Sequence, residues 1–233
     1  MSPASQTWVR AVLFGCAVIL ALQALWLIAP EISRVGRSAP AQTVAAAELP
    51  VRRDAAAQRA AWLGFVRGDL WSELALNYSA LVFNPAPEGA QSPTGEALQH
   101  ARSDAERALR HSPHNSRVWL LLAALELRTH PAGNENRAAA AVKMAYYTGP
   151  GELELVPLRL GVALQPELLG DDEIQQLARQ EIQTIVSRKP DLKSAVLAAY
   201  QRAGAPARKF IEDVASGQDP NFLRAVPSEA WFR

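Results

Sequence analysis

Sulfur chemistry is nearly missing from this chain. One cysteine, Cys16, stands in 233 residues beside two methionines, and histidines number only four. No disulfide can therefore close within the chain, and nothing beyond position 16 offers a thiol nucleophile, a thiolate metal ligand or a redox pair. An excess of either charge is lacking too: 24 basic against 23 acidic side chains leave a net charge of +1. Such a balance gives no electrostatic footprint for nucleic acid. Arginine outnumbers lysine, as GC-rich coding produces, and nothing functional is drawn from it. Neither a glycine-rich phosphate loop nor a Gly-x-Ser-x-Gly elbow occurs. Alternating apolar and polar residues are absent and β-branched residues are sparse outside one apolar run, so no strand is predicted.

That apolar run extends from Ala11 to Ala29, with Gln23 its only strongly polar side chain and Pro30 after it. About 20 residues at 1.5 Å rise cross a hydrocarbon core of roughly 30 Å. Trp8 and Trp26 lie near its ends, where aromatic rings favour the headgroup level. A cleaved signal peptide places a small-x-small site close behind a shorter apolar stretch. Here the first such triplet is Ala39-Pro40-Ala41, late and interrupted by proline. A lipoprotein signal is a poor fit at Cys16, because bulky Phe14 precedes Gly15 and the run continues past the cysteine. The expectation is a retained single anchor over 11–29, after a short tail at 1–10.

Arg34, Arg37, Arg52 and Arg53 follow the run and only Arg10 precedes it, a count that leans toward a cytoplasmic domain. The rule is weak for long translocated domains, and Arg10 before an apolar run resembles a signal anchor. Residues 30–51, with an Ala-, Pro- and Thr-bearing stretch at 38–47, resemble a flexible stalk. The expected placement is a single-pass protein of a bacterial inner membrane with its domain in the periplasm.

Beyond the stalk, good helix formers dominate and Pro or Gly punctuates them. The pattern predicts an all-α domain over 52–216, with helices at 52–67, 70–83, 95–111, 116–129, 136–147, 153–165, 172–188, 191–203 and 205–216. Asp171 and Asp191 are expected N-caps. Val118, Trp119, Leu122, Leu125 and Leu127 form one apolar face; Ile174, Leu177, Ile182, Ile185 and Val186 form another. Helices this short must pack side by side, and short turns between them make stacked αα-hairpins.

Trp71-x2-Leu74-Ala75-x2-Tyr78 matches the first-helix pattern of a tetratricopeptide repeat, and Trp119-x2-Leu122-Ala123 its first half, with Glu126 in place of the aromatic. Ala101, Ala105, Ala108 and Pro113 match the second helix and closing proline; Ala138, Val142, Ala145 and Pro150 match the next copy. Leu160-Gly161 and Val196, Ala199 and Tyr200 are fainter echoes. The loop 84–95 is then an insertion; an alternative register makes Gly68-Asp69 an inter-helix turn and puts Trp71 on a second helix. The domain thus resembles a degenerate tetratricopeptide-like solenoid. This resemblance implies a concave groove for extended peptides or helices, with Asp69, Ser72, Leu76, Arg117, Leu120, Arg128 and Tyr146 as candidate contacts. The Lys/Asn clamp that some relatives use for a terminal carboxylate is absent, because Ser72 and Leu76 stand at the matching positions.

Candidate chemistry is thin. His111 and His114 flank Ser112-Pro113 with His100 one face away, but no further ligands converge there; His111 at a helix C-terminus answers the macrodipole. Asp171, Asp172 and Glu173 open a helix, where acids answer the dipole in the same way. Glu73 and Glu126 lie beside aromatics, but glycan cleavage needs a separate catalytic fold that the chain has no length to supply. Neither a cofactor, a metal nor a small-molecule substrate is expected, and the protein is expected to be no enzyme. The tail 217–233, with Phe222, Trp231 and Phe232, is expected to cap the last helix pair. The expected role is a scaffold or assembly factor binding other envelope proteins, as in export, polysaccharide or cytochrome-maturation machinery; the rival is a non-catalytic regulatory subunit of a membrane enzyme complex.

Overall fold

The computed structural model describes residues 3–35, 58, 61–62, 68–78, 95–129, 135–220 and 222. The stalk, the insertion at 84–94, most of the predicted helix 52–67 and the tail beyond 222 lie outside the described residues. Those residues are helical, with no strand among them. Helix α1 (Pro3–Val35) contains the apolar stretch Val12–Ala29, with mean hydropathy 2.5 and no part of it buried. It is long and apolar enough to cross a membrane, and it continues past Pro30.

The remaining helices are α2 (Gly68–Leu76), α3 (Gly95–His111), α4 (Ser116–Thr129), α5 (Glu135–Thr148), α6 (Val156–Ala163), α7 (Asp172–Arg188), α8 (Lys193–Arg202) and α9 (Ala205–Ser216). Single 3-10 turns, Leu153–Leu155 and Pro190–Leu192, lead into α6 and α8. Of the predicted helix 70–83, the described part ends at Leu76, and 79–83 lie outside the described residues. After Leu76 the Asn77 amide is shared between the Glu73 and Leu74 carbonyls and the Tyr78 amide turns back to Ala75, which tightens and ends the helix. Asp171 caps α7 as expected, accepting from the Glu173 amide at 3.0 Å and the Ile174 amide at 3.2 Å. Asp191 does not cap: it sits inside the 3-10 turn, and α8 starts after Leu192 with no side-chain cap.

Each of these helices packs on the next in the chain from α2 to α9, and α2, α4, α6 and α8 also pack in succession. On the other side α7 touches both α5 and α9. Small side chains let the second set approach closely. Ala101, Ala105 and Ala108 of α3 and Ala138, Val142 and Ala145 of α5 are fully buried. In α7 and α9 the buried positions Ala178, Ile182 and Ile185, and Ala207, Ile211 and Val214, repeat that spacing. Each large side chain so buried contributes about 1.5–3 kcal/mol. Two glycines mark where helix ends meet. A Cβ at Gly68 would lie 1.9 Å from Ser112 Oγ, and one at Gly149 would lie 2.5 Å from Ser116 Cβ. The start of α2 therefore sits on the end of α3, and the end of α5 on the start of α4. The core falls into one cluster centred on α2 to α5 and another joining α6 to α9, which Phe222 completes.

Candidate functional site

Alanine and glycine hollow out the surface where α4, α6 and α8 run side by side. Ala124 on α4, Gly161 on α6, and Ala199 and Ala203 at the end of α8 put little bulk between the helices, and a cavity of about 420 Å³ opens there. That volume lies within the roughly 300–1,000 Å³ of ordinary ligand pockets. Leu127 and Leu158 add apolar walls, and the turn after α6 contributes Gln165 and Glu167. Arg128 and Arg202, both exposed, line it from the C-terminal ends of α4 and α8, where helix carbonyls favour positive charge.

Of the residues that the sequence marks for a groove, Arg128 alone lines this cavity. Asp69 is exposed at the start of α2, and Leu76 is half-buried against the first core cluster. Ser72 is buried, its hydroxyl donating to the Gly68 carbonyl at 2.8 Å. Arg117 is exposed and paired with Glu154. Leu120 is buried against Ala145 and Leu155 and presents no surface to a partner. Tyr146 is buried as well, because α6 and α7 close over it.

Tyr146 belongs to a largely buried polar cluster that sequence patterning missed. Arg159 of α6 is only 2 % exposed; its Nε donates to Glu181 Oε1 at 3.0 Å and its Nη1 to the Gly149 carbonyl at 2.7 Å. Its Nη2 also meets Glu181 Oε1. The Tyr146 hydroxyl donates to Glu181 Oε2 at 3.0 Å, and the guanidinium lies 4.9 Å from the Tyr146 ring centre. Burial, reinforced by the Glu181 charge, pushes the Tyr146 phenol well above its ordinary range. A second, smaller cavity of about 300 Å³ lies over this cluster. The available signal was a lone arginine inside the apolar stretch 153–164.

Glu126, which stands where the repeat pattern has an aromatic, is buried too. Arg102 from α3 approaches it at 3.0 Å and Arg137 from α5 at 3.5 Å, and both arginines also hold Glu106. On the surface Lys143 Nζ lies 2.8 Å from Asp171 and 2.7 Å from Glu173. These hydrogen bonds raise the Lys143 ammonium. Burial pushes the Asp171 carboxyl up, but Lys143 and the Ile174 and Glu173 amides together hold it below its usual value. Lys143, then the Tyr147 hydroxyl, lower Glu173.

His111 stacks on Trp71 at 6.2 Å between ring centres, with the Arg107 guanidinium 4.9 Å from the same indole; His100 pairs with Glu96 at 3.8 Å. Among the described residues no group of three or more His, Cys, Asp or Glu could hold a metal ion. No family model, no curated protein and no solved structure matches this chain.

Proposed function

We propose that this protein is a membrane-anchored scaffold or assembly factor of a bacterial envelope, with a degenerate tetratricopeptide-like solenoid that holds a partner protein in the α4/α6/α8 cavity. The cavity carries the proposal, since an open trough with apolar walls and an arginine at each side suits an extended segment of another chain. The helix order supports the repeat reading. Pairs α2/α3, α4/α5, α6/α7 and α8/α9 each end in a second helix with buried residues at i, i+4 and i+7, followed by Pro113, Pro150, Pro190 or Pro220. In that register Trp71 and Trp119 open first helices, and the cavity runs along the first-helix side.

A non-catalytic role is supported by the interior charges. Glu126 and Glu181 both lie against arginines, so charge pairing within the fold accounts for each carboxylate. The anchor raises local concentration at the membrane, the stalk gives reach, and the cavity supplies contacts. The Arg10-then-apolar start and the stalk favour a periplasmic domain, which places the partner among envelope machinery such as export, polysaccharide or cytochrome-maturation assemblies.

Gly161 supplies the test, because a Cβ there meets nothing within 4 Å and a large side chain fills the cavity without disturbing the core. Full-length protein extracted in detergent should carry a partner that Gly161→Trp loses, with the melting temperature unchanged. Protein that purifies alone, or a partner retained by Gly161→Trp, would refute the proposal. A C-terminal reporter enzyme active only in the periplasm checks the orientation, and activity only in the cytoplasm reverses it.

A further inference from the structure

The anchor helix carries a polar side chain that the fold leaves facing outward. Gln23 lies within the apolar stretch Val12–Ala29, exposed on the helix surface, about 4 Å from the midpoint of that stretch at 1.5 Å per residue. A primary amide has two N–H donors and an acceptor oxygen. Hydrocarbon answers none of them, and the backbone groups of α1 are already engaged with one another. Full satisfaction of the amide, its acceptor oxygen above all, therefore calls for another polar group in the bilayer. The amide is also self-complementary: across a twofold axis, each carbonyl accepts from the amide nitrogen of the other copy.

The spacing around Gln23 suits such an axis. Val12, Cys16, Ile19, Gln23 and Trp26 are separated by four, three, four and three residues and all are exposed, which is the seam of a left-handed helix pair. Gly15 flanks the same face, and a Cβ built there meets nothing within 4 Å. A missing side chain beside a seam lets a second backbone approach closely.

We propose that the chain forms a parallel homodimer through this face of α1, with the two Gln23 amides paired across the axis. Identical anchors insert the same way round, so the pair is parallel. The dimer displays two α4/α6/α8 cavities from one point in the membrane, and a partner with two binding segments gains avidity without any new contact in the domain. The inference rests on α1 being a retained span.

Cys16, the only cysteine of the chain, sits one heptad from Gln23 and serves as the reporter. Native membranes carrying full-length protein are first washed with alkaline carbonate and then oxidised with copper phenanthroline. Carbonate-resistant protein should form a disulfide dimer on a non-reducing gel. The dimer should fall several-fold in Gln23→Leu and recover in Gln23→Asn, which restores an amide. It should vanish in Cys16→Ser/Phe14→Cys, whose cysteine lies about 160° away around the helix. Carbonate-resistant protein that stays monomeric, or equal dimer from both cysteine positions, overturns the inference. Release by carbonate instead overturns the membrane reading beneath it, and the dimer with it.

Discussion

Glu126 on α4 and Arg159 on α6 are 1 % and 2 % exposed, yet the two halves of the domain neutralise them in opposite ways. Glu126 is a buried anion served by cations that reach water: Arg102 and Arg137 are 21 % and 56 % exposed. Around Arg159 the counter-charge is itself mostly withdrawn from the surface, since Glu181 is 10 % exposed, at the edge of the smaller cavity, and the Tyr146 hydroxyl is committed to it. A long arginine can deliver charge to the interior from outside and return to solvent if its partner is lost. The Glu181 carboxylate, held by both Arg159 and Tyr146, has less freedom to do so. The α3/α4/α5 junction should therefore tolerate loss of its buried charge, while the α5/α6/α7 junction should not.

The largest expected effect follows directly. Arg159→Met leaves the Glu181 carboxylate with no counter-charge and only the Tyr146 hydroxyl as donor, strips the arginine from the Gly149 carbonyl, and should cost about 3–5 kcal/mol, the range for breaking a buried pair. Adding Glu181→Gln removes the orphaned charge while keeping an acceptor for Tyr146, and should restore most of that loss. Denaturant unfolding of the full chain in detergent measures both, and a non-additive cycle is the required outcome. Single and double variants of equal stability would break the distinction. A smaller loss is expected for Glu126→Gln, below about 3 kcal/mol, the lower end for breaking a buried pair, because Arg102 and Arg137 meet Glu126 Oε1 as ion pairs without a hydrogen bond and can turn to water. If Glu126→Gln proves as costly as Arg159→Met, exposure of the partners is not what separates the two clusters.

The sequence made the longer helices legible and left their packing partners obscure. From α3 through α5 and at α7, apolar residues recur with helical spacing and the ends carry Gly, Pro or Asp, so observed and expected limits agree within a residue. Helix α2 is short because an amide pair tightens after Leu76, which no residue type announces. Asp191 illustrates the limit of cap rules: an acid after proline suits an N-cap and a 3-10 turn equally. Of the groove candidates, Leu120 follows from the Trp119 register and Tyr146 from its place beside Tyr147 on one helix, but Leu155, Arg159 and Glu181 from other elements cover them. The small residues that do open the trough, Ala124, Gly161 and Ala199, look in sequence like ordinary helix filler. Concavity arises between helices and is invisible along any one of them.

A surface cluster provides the third term of the comparison and the smallest effect. Lys143 is 23 % exposed between Asp171 and Glu173, and solvent screening leaves such surface pairs little net stability. Its pH dependence is nonetheless distinctive. Asp171 and Glu173 have lowered carboxyls, so their contribution is complete above the usual carboxylate value of roughly 4 and is lost as pH falls through the lowered ones. Lys143, Tyr146, Tyr147 and Tyr200 are all raised, so their contributions hold below about 10 and fade as pH climbs through the raised values. Thermal unfolding followed by circular dichroism should give a plateau from about pH 5 to 9 with a fall on either side. Lys143→Met should flatten the acid fall, because Asp171 and Glu173 lose the cation that lowers them. The alkaline fall should largely persist, because the buried phenol of Tyr146 and the Glu212-bound phenol of Tyr200 lie outside the Lys143 cluster. An acid limb unchanged by Lys143→Met would mean that other carboxylates set it. An alkaline limb abolished by that variant would tie Tyr146 to the surface cluster and remove the separation between buried and solvent-linked charge.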